Sequence, residues 1–205
     1  MTSAPTEHAG HRERLIAAMA RSVEQKGYRD TSVADVVRIA RTSRRTYYEH
    51  FTDRDACFLA LFDATNEATM GEIASAVRAD ASLDEQVDAA IGSFLDSVAA
   101  RPKLFRSFTW ELPALGRAGA ERQRAVVERF AALLIEFVES GRREHAELDA
   151  RPLSRDAALV IVAGLRELTV SAFEERREVS ELRATAAGVV KAVLGAAVLE
   201  PAAAL

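Results

Sequence analysis

Apolar residues recur every three or four positions along nearly the whole chain, with polar residues between them. This spacing is typical of amphipathic α-helices, because 3.6 residues complete one helical turn. No stretch alternates convincingly between apolar and polar residues, as a half-buried strand would. Prolines and glycines separate the periodic segments. The pattern therefore predicts an all-α chain of about nine helices.

The N-terminal region holds three predicted helices separated by short breaks. The first covers residues 11–26, and the second covers residues 33–40 behind a Thr31 or Ser32 cap. The third begins at Ser43, which is another good N-cap residue, and continues for about two turns. Two short helices joined by a tight turn describe a helix-turn-helix, whose second helix reads the major groove of DNA.

Charge is distributed unevenly. The formal net charge is −4, which by itself argues against nucleic acid. Residues 1–55, however, carry ten Lys/Arg and eight Asp/Glu, and the segment 38–48 contains four arginines and no acid. Since salt screens distant charges beyond about 10 Å, a local basic surface can bind phosphates on an acidic protein.

The third helix carries the candidate base-reading chemistry. Arg44 and Arg45 lie in its first turn, where arginine can bond guanine bidentately and the helix dipole favours phosphate. Thr46 and the tyrosine hydroxyls can bond phosphates. Two alternatives stay open: the arginines form an ordinary solvated surface, or Tyr47 and Tyr48 belong to the core. We expect part of Tyr48, together with Phe51, to anchor the third helix to the other helices.

The run of residues 11–62 resembles the N-terminal domain of TetR-type regulators, over about a quarter of the chain. Many residues match in order and at the right spacing, which makes the resemblance specific. The matching segments are Arg14-Leu15-Ile16-Ala17-Ala18, Gly27-Tyr28, Thr31-Ser32-Val33-Ala34-Asp35-Val36, Ala40, Ser43, Thr46-Tyr47-Tyr48-Glu49-His50-Phe51 and Asp53-Arg54-Asp55.

This resemblance implies a set of DNA contacts. Ser32, Tyr48 and His50 would contact the DNA backbone, although His50 could equally be a cap or packing residue. Arg54 stands where the family usually has a lysine that contacts phosphate. The full implied DNA-binding set is Ser32, Arg41, Thr42, Ser43, Arg44, Arg45, Thr46, Tyr47, Tyr48, His50 and Arg54, of which Arg44, Arg45 and Tyr47 would face base edges or flanking phosphates.

One residue departs from the family pattern. Arg41 occupies the turn position where the family usually has glycine. If this position requires a positive φ, arginine costs about 1 kcal/mol or more in backbone strain. Arg41 would offset that cost by a phosphate contact, or else the turn has a different shape. The second possibility leaves open a helical interaction module that has lost DNA binding.

The last two predicted helices have broad apolar faces with small residues. The resemblance implies a four-helix dimer interface, with two helices from each subunit. Burial of these faces within one subunit is the alternative. The expected interface residues are Ile161, Leu165, Leu168, Ala172, Leu182, Ala186, Val189 and Val193.

Aromatic residues concentrate in the middle of the chain. An apolar pocket for an unidentified small effector is one interpretation, and ordinary core is the other. The candidate lining residues are Phe94, Phe105, Phe108, Trp110, Phe130 and Phe137, with Glu111 as a polar pocket group or plain surface. The resemblance implies a repressor whose effector shifts the population away from the DNA-binding conformer.

The remaining expectations concern organisation and class. We predict a DNA-binding domain over residues 8–54, a helical ligand-binding and dimerisation domain over residues 55–200, and a disordered tail over residues 201–205. Cys57, the single cysteine, fits an apolar filler. No enzymatic, cofactor or metal motif is present, and no apolar run would span a membrane. The expected partners are an operator duplex, a second copy and the effector, in a cytoplasmic, nucleoid-associated location.

Overall fold

The computed structural model describes residues 4–144 and 152–196, which form helices, turns and loops without a strand. The predicted all-α class is confirmed. The predicted tail over residues 201–205 lies outside the described residues. The α-helices are α1 (Ala4–Lys26), α2 (Val33–Ala40), α3 (Arg44–His50), α4 (Arg54–Ala76), α5 (Leu83–Ala100), α6 (Pro102–Glu111), α7 (Gly116–Glu144), α8 (Arg155–Glu175) and α9 (Arg183–Ala196). Short 3-10 turns occur at Pro113–Leu115 and Val179–Leu182.

Side-chain caps define the helix boundaries that the sequence left open. Ser32, rather than Thr31, caps α2 by accepting from a backbone N–H one turn later. Ser43 caps α3 in the same way, as predicted. Asp53 caps α4, because its Oδ1 accepts from the Ala56 N–H at 2.7 Å. Each bond satisfies a donor that the first turn of a helix leaves without an intrahelical partner.

The start of α7 contains two glycines. The helix begins at Gly116, whose φ is +62°, and continues through Gly119. A Cβ atom at Gly119 would lie 2.0 Å from the carbonyl oxygen of Leu112. Gly119 is therefore a close-approach residue inside a helix, and its helix-breaking tendency is outweighed by packing.

The chain divides into two compact units. The first comprises Met1–Glu67 and Arg101–Gln123, and the second comprises Ala68–Ala100 and Arg124–Leu205. The first unit thus contains α1, α2, α3 and α6 together with the first half of α4. The second contains α5, α8 and α9. The predicted boundary after residue 54 stays a prediction.

An aromatic cluster lies in the core of the first unit. The fully buried Phe58 stacks on Tyr28, with ring centroids 4.0 Å apart. Phe108 of α6 packs on Phe58 at 5.4 Å and on Phe62 at 5.1 Å. Leu15, from α1, is also fully buried. Each such side chain contributes about 1.5–3 kcal/mol when removed from water, so the cluster holds α4 and α6 together with the loop that follows α1.

In the second unit, α5 packs against α9. Arg183 donates to Asp96 at 2.6 Å and lies over Gly92, where an added Cβ would be 2.4 Å from Nη1. Lys191 pairs with Asp88 at 2.8 Å. Exposed ion pairs are weak because water and salt screen them, so these pairs orient the contact more than they stabilise it.

Among residues 4–144 and 152–196, no helix combines the length and apolar character needed to cross a bilayer.

Candidate nucleic-acid interface

The N-terminus of α2 is closed by a reciprocal capping box. The Asp35 N–H donates to Ser32 Oγ at 3.2 Å, and the Ser32 N–H donates to Asp35 Oδ2 at 3.0 Å. Lys26, at the end of α1, pairs with the same carboxylate at 2.7 Å. The hydrogen bond from Lys26, helped by those from Ser32, holds the pKa of Asp35 well below its usual value. Asp35 therefore stays ionised and ties α1 to α2.

Arg41 adopts a left-handed backbone conformation, with φ 52° and ψ 51°. Its N–H donates to the Arg38 carbonyl at 3.3 Å, and the Thr42 N–H donates to the Val37 carbonyl at 3.0 Å. These two bonds form a Schellman motif, which usually places glycine at this position. The turn thus has the shape that a glycine would give it, and Arg41 carries the strain while its side chain is exposed.

The first turn of α3 displays arginine to solvent. The Thr46 N–H donates to Ser43 Oγ at 3.0 Å, so Ser43 is committed to capping. Arg44 and Arg45 are both exposed. Arg45 pairs with Glu49 one turn later at 3.2 Å, across an exposed surface where such a pair is weak. Both guanidinium groups are therefore available to DNA phosphates or base edges.

Of the two adjacent tyrosines on α3, one is buried and the other is exposed. Tyr47 is fully buried, and its hydroxyl donates to the Asp53 carbonyl at 3.0 Å. Tyr48 is 57% exposed. The burial of Tyr47 favours the core alternative for that residue, and the contact of Tyr48 with the DNA backbone stays a prediction. Adjacent residues on a helix point about 100° apart, so only one of the pair can face the core.

The end of α3 packs beneath α1. His50 is half-buried, and its ring centroid lies 6.5 Å from that of His11. Phe51 is buried, and the Arg12 guanidinium lies 5.5 Å from its ring centroid. These contacts favour a packing role for His50, while its implied contact with the DNA backbone stays a prediction.

Arg54 lies at the first position of α4, with its guanidinium on the α1–α2 loop. It donates to the Thr31 carbonyl at 3.1 Å and lies 4.3 Å from the centroid of the Tyr28 ring. It also approaches the Asp55 carboxylate at 3.6 Å. The positive charge of Arg54 therefore lies against groups of its own chain. Sequence reasoning missed this, because nothing local indicates that α4 meets the preceding loop.

Cys57 is fully buried in α4, and burial raises the pKa of its thiol to about 12. A protonated, inaccessible thiol is a poor nucleophile. The interpretation of Cys57 as an apolar filler agrees with this placement.

The candidate pocket residues are divided between the two units. In the first, Phe108 is buried in the aromatic cluster, which favours the core alternative for that residue. Trp110 is 40% exposed and lies beside Arg106, while Glu111 pairs with Arg29 at 3.1 Å. The ion pair gives Glu111 a structural partner. Phe105, also in the first unit, is half-buried.

The second unit contains the other three candidates. Phe94 and Phe130 meet edge to face with centroids 6.3 Å apart, and both are half-buried. Phe137 is half-buried as well. Half-buried aromatic side chains are compatible with a pocket wall or with the rim of a core, so the lining role stays a prediction.

The expected dimer-interface residues fall into two groups. Four of them are buried inside the second unit: Ile161, Ala172, Leu182 and Ala186. These cannot form an exposed face, because each already packs within its own subunit. Leu165, Leu168 and Val193 are half-buried, and Val189 is 56% exposed. Val160 on α8, which the sequence analysis did not select, is 69% exposed.

Residues 15–61 match the model of the bacterial regulatory proteins of the tetR family. The fold resembles that of the fatty acid degradation regulator FadR from Bacillus halodurans, at 18% identity and a TM-score of 0.71 over 95% of this chain and 97% of that chain. FadR from Bacillus subtilis, solved in complex with stearoyl-CoA, has 15% identity and a TM-score of 0.68 over 93% and 99%. Reduced NemR from E. coli has 19% identity and a TM-score of 0.69 over 90% and 97%. Comparison with curated proteins yields no match.

The match over residues 15–61 and the exposed arginines of α3 identify the N-terminal region as a helix-turn-helix similar to that of the tetR-family regulators. The matched region covers about a quarter of the chain, and for the remainder the solved structures show a likeness of fold.

Proposed function

We propose that this protein is a TetR-type transcriptional regulator, and that it is a ligand-responsive repressor that binds a pseudo-palindromic operator as a homodimer. The single observation that carries the proposal is the surface of α3, where Arg44, Arg45 and Tyr48 are exposed while Tyr47 secures the helix from beneath. A helix of this length buries little surface by itself, so its outer face is free to enter the major groove.

Each part of this surface has a distinct proposed role. Arg44 and Arg45 read base edges or flanking phosphates, and the Tyr48 hydroxyl bonds a phosphate oxygen. Arg41, at the turn, adds a further cation next to α3. These cations lie on a local basic surface of an otherwise acidic chain, so binding depends on short-range phosphate contacts.

Dimerisation is proposed through α8 and α9. Val160 and Val189 expose apolar side chains, and a Cβ atom at Gly164 or Gly188 would meet nothing within 4 Å. These open, small-residue positions support close approach by the helices of a second copy. A two-fold dimer would hold two α3 helices about 34 Å apart, which is one turn of DNA.

The proposed effector is a small molecule with a substantial apolar part. Support comes from the half-buried Phe94 and Phe130, and from the stearoyl-CoA complex of the similar Bacillus subtilis FadR. A ligand that binds the non-DNA conformer more tightly would change the spacing of the α3 helices and release the operator. The DNA partner would place the protein at the nucleoid in the cytoplasm.

Fluorescence anisotropy with the full chain tests these proposals. We expect the DNA immediately upstream of its own gene to bind more tightly than a scrambled duplex, and this affinity to fall steeply as salt rises. Stearoyl-CoA is the first effector probe, and we expect it to weaken operator binding. Equal affinity for both duplexes would contradict sequence-specific regulation. Binding of stearoyl-CoA that leaves operator affinity unchanged would contradict its role as effector.

A further inference from the structure

One side chain at the N-terminus of α4, that of Arg54, bonds the loop between α1 and α2. Arg54 Nη1 donates to the backbone carbonyls of Thr31 at 3.1 Å and Arg29 at 3.4 Å. The guanidinium carbon lies over the Tyr28 ring, 4.3 Å from its centroid and within cation–π range. About a third of the side chain remains exposed. Its charge is thus directed at carbonyl oxygens and an aromatic face of the same subunit.

The groups that Arg54 holds are themselves fixed. Thr31 is buried, and its hydroxyl donates to the Gly27 carbonyl at 2.8 Å and hydrogen-bonds Ser22 at 2.9 Å. The Tyr28 ring stacks on Phe58 of α4, and its hydroxyl donates to Asp55. Burial, reinforced by that bond, raises the pKa of Tyr28 well above its usual value. The loop is therefore held between α1 and α4 by residues that are themselves buried or hydrogen-bonded.

The residue that Arg54 bonds lies next to the α2 cap. Thr31 is followed by Ser32, whose side chain and N–H form the capping box of α2. The position of Thr31 therefore sets where α2 begins, and α2 carries the Arg41 turn and α3 with it. The extended guanidinium places Nη1 on both carbonyls while Cζ lies over the ring, and a compact ammonium cannot occupy these two places at once.

We infer that Arg54 is a positioning residue that sets the placement of the helix-turn-helix through the Thr31 carbonyl, and that it is not a phosphate ligand. This departs from the phosphate contact that the family resemblance implies for the position, and it rests on the operator binding proposed above. A displacement of the start of α4 would move the α2 cap directly, because the Arg54 guanidinium connects the two.

The test compares full-length Arg54→Lys, Arg54→Ala and Tyr28→Leu with the unchanged chain. Operator affinity is measured over a series of salt concentrations, and unfolding by urea confirms that each variant is folded at the assay temperature. We expect all three variants to lose operator affinity by about tenfold, the effect of one charge-assisted hydrogen bond. The dependence of log affinity on log salt should stay unchanged. Arg54→Lys should fail to rescue binding although it keeps the charge.

Two results would overturn the inference. If Arg54→Ala lowers the salt slope by about 0.9 while Arg54→Lys restores both slope and affinity, Arg54 contacts a phosphate. If the variants lower only the free energy of unfolding and bind operator normally, the contacts of Arg54 are merely structural. Tyr28→Leu separates these cases further, because it removes the stacking partner and leaves every cation in place. Failure of the unchanged chain to prefer its operator would refute the proposed function itself, and the role of Arg54 with it.

Discussion

The strain at Arg41 leads to a quantitative prediction for Arg41→Gly. A residue with a Cβ pays about 1–2 kcal/mol in the left-handed region, where Arg41 lies at φ 52°. Glycine removes that cost but makes the unfolded chain more flexible, which returns about 0.5–1 kcal/mol. The two Schellman hydrogen bonds come from the backbone and are retained. Taking the middle of each range, we expect Arg41→Gly to raise the free energy of unfolding by about 0.5–1 kcal/mol. For a chain of this size, that is an increase in Tm of about 1–4 °C.

Arg41→Ala is the matched control, because it removes the same cation and keeps the Cβ. Urea unfolding of the three proteins should place the alanine variant within about 0.5 kcal/mol of the unchanged chain and the glycine variant above both. Equal stability of the glycine and alanine variants would refute the strain argument. Operator titrations of the same proteins report the charge separately. If Arg41 contacts a phosphate, both variants lose about 0.9 from the salt slope.

Three further predictions concern other parts of the chain. Arg44→Ala and Arg45→Ala should each weaken operator binding by about 1–3 kcal/mol in anisotropy titrations, and equal losses on operator and scrambled DNA would show that they contact only phosphate. Val189→Arg should give monomers in light scattering, whereas the control Gln25→Arg, at an exposed position of α1, should leave the dimer intact. An unchanged molar mass for Val189→Arg would exclude this interface. The lowered pKa of Asp35 means that its contribution to the free energy of unfolding is complete above the unfolded-state pKa of about 4 and is lost as pH falls through the lower folded-state pKa. Asp35→Asn should therefore reduce the loss of stability at acid pH. A loss equal to that of the unchanged chain would contradict the pairing.

The sequence by itself determined the elements and the class of protein. Helical periodicity and short-range capping chemistry act within one or two turns, so the caps at Ser32 and Ser43 and the helix-turn-helix could be predicted from local residues. The departure from the family pattern identified Arg41 as a residue that would be strained if the turn kept its usual shape, and the structure shows that shape. Ordered motif matches then indicated the TetR family, which the family model supports over residues 15–61.

Only the tertiary structure decided which side chains face outward. Tyr47 and Tyr48 are chemically identical neighbours, so their roles depend on how α3 is rotated against the rest of its unit. Half of the expected interface residues, on α8, α9 and the 3-10 turn between them, are buried within the second unit, because a broadly apolar helix does not reveal which of its faces meets its own subunit. Arg54 depends on a contact between α4 and a loop more than twenty residues earlier. Such contacts are set by long-range packing, which local sequence patterns do not encode.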